Sequence, residues 1–139
     1  MANSLRVLLV DPSDESYKTF SEAARVAGFE LVYASSYSEG ISLCEKIQPQ
    51  IIFSELVLEE SDGVDLLMTA RDHIENVESI LVIYTTVQDQ YSEVAAFNAG
   101  VDDYLRKAYS TQLLASKIKA LQRRVNRING QNQSLGNAC

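Results

Sequence analysis

The sequence predicts an α/β protein: a single doubly wound (βα)5 domain built on a parallel five-stranded sheet in the order 2-1-3-4-5. Five short apolar runs alternate with five amphipathic stretches, and alternation of this kind means right-handed βαβ crossovers. The first, third and fourth runs are nearly continuous in apolar residues, as central strands covered on both faces should be, whereas the second and fifth are more polar and suit sheet edges. A chain of 139 residues suffices for one domain with a full core and is short for two.

Taken in order, "LRVLLV" (5–10) is the first strand, and the helix after it spans Asp14–Ala27, closed by Gly28 where a helix end favours positive φ. "FELVYA" (29–34) is the second strand, followed by a helix over Tyr37–Ile47. "QIIFSE" (50–55) reads as a buried strand that delivers Glu55 at its carboxyl end; an acidic loop then turns on Gly63 into a helix over Val64–Ile74. "SILVIY" (79–84) leads to a helix over Gln88–Ala99, closed by Gly100. "DDYLRK" (102–107) precedes the last helix, Thr111–Ile128, whose Leu114, Ile118, Leu121, Val125 and Ile128 form a core-facing stripe. The stripe reaches the edge of the tail, so another chain or a following domain can cover part of it. The polar segment "NGQNQSLGNAC" reads as a flexible tail or linker, which sets the expected boundaries at 4–128 for the domain and 129–139 for the tail.

Hydrophobic residues make up 46% of the chain and charged residues 22%, which argues against wholesale disorder. No apolar run approaches the length that crosses a bilayer, and Met1-Ala2-Asn3-Ser4 lacks the basic and apolar regions of a secretory signal. A cytoplasmic protein without a membrane partner is expected. Cys44 and Cys139 make neither a disulfide framework nor a metal cluster; Cys44 reads as a core residue and Cys139 as a free tail thiol. His73 is expected on the surface. All 19 acids lie at or before Asp103, while residues 106–139 carry seven bases and no acid. The basic last helix reads first as a solvated face leaning on the acidic body, and second as a surface for a partner or DNA.

In the predicted strand order the carboxyl ends of strands one, three and four meet at the switch point, which brings Asp11, Glu55 and Thr85 together. "RVLLVD", the acid eight residues before the glycine of "DG" (Glu55 to Gly63), Thr85 fifteen residues before Gly100, and "DDYLRK" jointly resemble the receiver domain of bacterial two-component response regulators (CheY-like). The resemblance covers about residues 4–127. It implies a flavodoxin-like fold and a phosphorelay signalling module that is not an enzyme beyond its own phosphorylation and dephosphorylation. In such receivers an aspartate after strand three accepts a phosphoryl group from a histidine kinase, and paired acids after strand one help it bind Mg²⁺. A threonine after strand four and a lysine after strand five contact the phosphoryl oxygens, roles that fall on Thr85 and Lys107, with Tyr104 at a switch position.

Three positions depart from that pattern. Glu55 stands for the acceptor aspartate, Pro12 for the second acid, and Ala108 for the proline that usually precedes an aromatic, here Tyr109. The extra methylene of Glu55 carries its carboxylate about 1.5 Å further, toward the place of a phosphoryl group, where it would meet Lys107 and Thr85. The family's three carboxylates and one lysine sum to −2, whereas Asp11, Glu55 and Lys107 sum to −1. Mg²⁺ therefore loses charge and a ligand, leaving a weak site of Asp11, Glu55 and the Val57 carbonyl, with Glu59 as a remote candidate through water. The reading is an atypical receiver, phosphorylation-independent or weakly phosphorylated. Glu55 then imitates part of a phosphate, with one negative charge against nearly two. The plainer readings are that Glu55 is a strand-end acid paired with Lys107, or that Asp11-Pro12 is a helix-entry turn.

"SKIKALQRRVNR" is similar to the transcription-factor (OmpR/PhoB-like) branch, whose receivers dimerise through the fourth helix, fifth strand and fifth helix. That implies a homodimer with Asp103, Lys117 and Arg124 at the interface, a histidine kinase or another signalling protein as partner, and no direct nucleic-acid binding by this domain. Leu113, where that branch often has an acid, departs from it. An ordinary Mg²⁺-dependent phosphoacceptor receiver stays open. So does a small phosphotransferase or hydrolase using Asp11, although Ser13 stands where that class wants a second aspartate. A flavodoxin-like cofactor binder would want a glycine loop after the first strand, and none is there.

Overall fold

The computed structural model describes residues 5–75 and 78–138, with side chains described through Ile128. Five strands and five helices alternate: β1 (Arg6–Val10), α1 (Asp14–Ala27), β2 (Glu30–Ala34), α2 (Tyr37–Ile47), β3 (Ile51–Ser54), α3 (Gly63–Asp72), β4 (Ile80–Thr85), α4 (Gln90–Ala99), β5 (Asp103–Arg106) and α5 (Thr111–Ala138). The strands form one parallel sheet in the order β2-β1-β3-β4-β5. β3 and β4 are buried at every position and β2 is buried only at Ala34, which is the central and edge character their composition predicts.

Alternating side chains of the sheet serve two cores. Val7, Leu9, Phe53 and Tyr84 pack with Phe20 of α1 and Leu114 and Ile118 of α5; Leu8, Val10, Ile52 and Ile83 pack with Cys44 of α2, Leu67 of α3 and Ala96 of α4. Phe20 meets Phe53 and Tyr84 edge-on, with ring centroids 4.9 and 5.0 Å apart. The helices start on capping side chains: Ser13, Ser36, Asp62 and Asp89 each accept a backbone N–H three residues on. α1 ends on Gly28 at φ 78°, a left-handed conformation that favours glycine.

The last helix corrects an expectation. The sequence predicts its end at Ile128, but α5 continues to Ala138. Propagation explains the length, because each further residue adds one hydrogen bond to a turn already formed. The extension contains no proline, and each of its two glycines costs only about 1 kcal/mol. Cys139 and Ser4 lie outside the described residues. α3 begins one residue earlier than predicted and α4 two later, where Asp89 supplies a better cap than Val87.

Candidate functional site

The parallel register places the carboxyl ends of β1, β3 and β4 side by side, with Val10 opposite Ser54 and Ser54 opposite Ile83. Asp11, Glu55 and Thr85 follow at one rim of the sheet, and Lys107 reaches them from the end of β5. Its ammonium lies 2.8 Å from Asp11 Oδ2 and 2.8 Å from Glu55 Oε1. Asp11 is fully buried; its Oδ1 accepts the Ser13 N–H at 2.9 Å, and its Oδ2 is compensated by the Lys107 ammonium.

Glu55 is equally committed. Its Oε2 accepts the Thr85 hydroxyl at 2.5 Å and the Val57 N–H at 3.0 Å. Burial alone would raise the pKa of this carboxyl, but the Lys107 and Thr85 hydrogen bonds and the Val57 amide outweigh it, leaving the group below its ordinary value of 4.5. Burial likewise works against the Lys107 charge, and the two carboxylates reverse that, holding the ammonium above its ordinary 10.5. The ammonium also lies 5.5 Å from the centroid of the Tyr84 ring.

The loop after Glu55 has almost no slack. A Cβ on Gly63 would stand 2.2 Å from the Glu55 carbonyl oxygen, so only glycine lets α3 begin this close to the acid. On the other side, the Thr85 hydroxyl also accepts the Val87 N–H at 3.3 Å. Tyr104, only 8% exposed, is turned inward and donates its hydroxyl to the Val87 carbonyl at 2.8 Å.

Asp11, Glu55, Thr85 and Lys107 thus form one connected cluster, with Tyr104 joined to it through Val87. Asp103 and Lys117 do not belong to it. Asp103 accepts its own neighbour's Tyr104 N–H, Lys117 lies 5.3 Å from the Tyr109 ring centroid, and Arg124 is 3.6 Å from Asp102 of the same chain. Pro12 is exposed, Ala108 sits in a trans chain, and His73 ends α3 with Nδ1 3.1 Å from Glu45. Sequence reasoning missed Tyr33, whose hydroxyl donates to the Asp11 carbonyl at 2.6 Å. The only signal is its place on β2 beside Leu9, next to the last residue of the strand.

The donor set does not fit a tightly held Mg²⁺. Asp11 and Glu55 both face the ammonium instead of open space, Pro12 brings no side-chain oxygen, and no group of three or more potential ligands gathers among the described residues. Nor is Asp11 placed as a nucleophile, since it is 0% exposed and both its oxygens are engaged.

A fold of this topology, with an acid after β3, a threonine ending β4 and a lysine after β5, is that of a signalling receiver. The chain belongs to that family: the model of the response regulator receiver domain matches residues 7–119. It is 32% identical over 124 residues to a probable transcriptional regulatory protein, y4xI, of Sinorhizobium fredii, covering 89% of this chain and 53% of the relative. It is 25% identical over 123 residues to the DNA-binding dual master transcriptional regulator RpaA of Synechocystis, covering 88% and 51%. The chain therefore spans about half the length of these curated relatives. Among solved structures, a two-component response regulator from Clostridium difficile superposes with a TM-score of 0.80 at 26% identity, over 88% of this chain and 99% of that one. A CheY-like receiver from Methanospirillum hungatei gives 0.81 at 22%, over 90% and 98%, and shows the shared fold. The protein is a receiver module of the two-component response regulators. No helix among the described residues is long and apolar enough to cross a membrane.

Proposed function

We propose that this receiver works without a phosphoryl group, or with only weak phosphorylation, and acts by binding other proteins. One observation carries the reading: the Glu55 carboxylate holds both the Thr85 hydroxyl and the Lys107 ammonium, the two groups that in similar receivers contact phosphoryl oxygens. A side chain of the protein itself makes those contacts, and Tyr104 lies inward as the linked switch position. Glu55 is then a built-in, single-charge substitute for the phosphorylated state, with at most a weak Mg²⁺ site of Asp11, Glu55 and the Val57 carbonyl.

The output is protein contact through α4, β5 and α5: a homodimer with Asp103, Lys117 and Arg124 near its interface, or a histidine kinase or other signalling partner. Similarity to named transcriptional regulators supports a role in controlling transcription, with nucleic acid contacted elsewhere than on this domain. The test is incubation with acetyl phosphate and Mg²⁺ followed by intact mass. The expected result is no added phosphoryl group; an added group that Glu55→Gln abolishes would show an ordinary phosphoacceptor receiver instead.

A further inference from the structure

A second surface lies on the α3-facing flank of α4, away from β5. A groove of about 630 Å³ runs between the loop after β3 and α4, with Leu56, Val57, Val64, Tyr91 and Ala95 in its walls. Its apolar residues are unusually bare: Tyr91 is 85% exposed and Val57 64%. Asp62 and Asp65 line it, and Asp89 and Glu93 bracket Tyr91 on the first turn of α4. None of these four acids has an ion pair among the described residues, and the sequence holds no lysine or arginine between Lys46 and Arg71 or between Arg71 and Arg106.

The complement is carried by the same chain. Lys119, Arg123 and Arg127 recur every fourth residue on α5, so they share one face; all three are exposed and without an ion pair among the described residues. Buried Leu114, Ile118, Leu121 and Val125 mark the opposite side of the helix. The basic stripe is therefore distinct from the Lys117 and Arg124 edge, and Ser116 and Ala120 beside it leave room for close approach.

We infer that the α3–α4 groove is a docking site for the outward basic face of α5 from a second copy of this chain. Long aliphatic stems of Lys119, Arg123 and Arg127 cover Val57 and Tyr91, while their charged ends reach Asp62, Asp65, Asp89 and Glu93. A guanidinium laid on the exposed Tyr91 ring adds a cation–π contact. Such a contact joins unlike surfaces, so copies associate head to tail, in a ring or an open row. It requires nothing of Glu55, and its failure would leave the reading of that residue untouched.

The experiment is sedimentation of the full chain in a Lys117→Glu background, which removes pairing through the other edge of α5. Two further variants are made in it: Ala95→Arg, which fills the groove at an exposed position, and Lys119→Glu/Arg123→Glu/Arg127→Glu, which reverses the stripe. The parent should associate with rising concentration, about tenfold more weakly when salt rises from about 0.05 M to 0.5 M. Each variant alone should be a monomer, and an equal mixture should form a dimer of one of each, because one retains the helix and the other the groove. Circular dichroism matching the parent confirms that both variants are folded. A parent that stays monomeric at every concentration overturns the inference. So does a mixture of folded variants that fails to pair, or a groove that takes an unrelated basic peptide while the parent remains a monomer.

Discussion

Replacing Lys107 by methionine keeps most of the volume of the side chain and removes the charge that holds Asp11 and Glu55 together. Asp11 is fully buried, Lys107 is 16% exposed, and both ion pairs are 2.8 Å long, so the two carboxylates are left uncompensated where water reaches them poorly. Removing one partner of a buried pair costs about 3–5 kcal/mol. The Ser13 amide, the Thr85 hydroxyl and the Val57 amide remain as donors, which places the expected loss at about 3 kcal/mol. Urea unfolding at neutral pH reads it as a midpoint lowered by about 1–3 M for a urea slope typical of small domains. The pH dependence is the stricter part of the assay. In the wild type the Glu55 pKa is depressed, so its contribution is present above 4.5 and lost as pH falls through the lower folded value. The Lys107 pKa is raised, so its contribution is present below 10.5 and lost as pH climbs through the higher folded value. The methionine variant should reverse the acid limb: Glu55, whose burial is then no longer offset by the ammonium, should gain stability as pH falls and it becomes neutral. Adding Asp11→Asn should also recover part of the loss. A loss below about 1 kcal/mol, or one that is the same at acid and neutral pH, would refute the account of the cluster.

Pro12→Asp with Glu55→Asp should create calorimetric Mg²⁺ binding at millimolar metal that the wild type lacks; equal heats in both would sink the argument from ligand count. Gly63→Ala should cost about 3 kcal/mol in chemical denaturation, because its Cβ falls 2.2 Å from the Glu55 carbonyl oxygen. Tyr104→Phe should cost only about 1 kcal/mol, the net value of its bond to Val87, yet change the NMR shifts of Val87 and of α4. In the two-fold dimer proposed for α4, β5 and α5, Lys117→Glu and Glu55→Ala should each weaken association measured by sedimentation, and indifference to both would remove that dimer.

Much of the fold is legible in the sequence because its signals are local and redundant. Apolar runs mark the strands, the starts of α1 and α2 fall where predicted, and the polar character of β2 marks its edge position, whereas the caps Asp62 and Asp89 set the starts of α3 and α4 one residue before and two after the predicted ones. The end of α5 is not legible in the same way, since a polar, glycine-containing segment reads equally as tail or as helix until the preceding turns are known to be formed. At the site, spacing identifies which residues meet but not how their atoms are apportioned. That both Asp11 and Glu55 close on one ammonium, and that Tyr33 holds the Asp11 carbonyl, depends on side-chain rotamers and on β1–β2 register, which no short sequence window encodes.

The position of Lys107 explains why the Glu55 and Pro12 departures belong together physically. With a second acid at position 12 and a short acid at 55, the cluster would carry two negative charges in excess, and a divalent cation would be the natural counterion. Removing one acid and lengthening the other leaves a single excess charge, and brings a carboxylate within 2.8 Å of the lysine and 2.5 Å of Thr85. The ammonium then supplies the positive charge inside the cluster. Reverting either position alone improves neither state: an acid at position 12 adds repulsion beside a buried Asp11, and aspartate at 55 gives up reach toward Thr85 and Lys107. Only the double reversal exchanges one balanced arrangement for another, so the Mg²⁺ response of the double variant should exceed the combined responses of the two single ones.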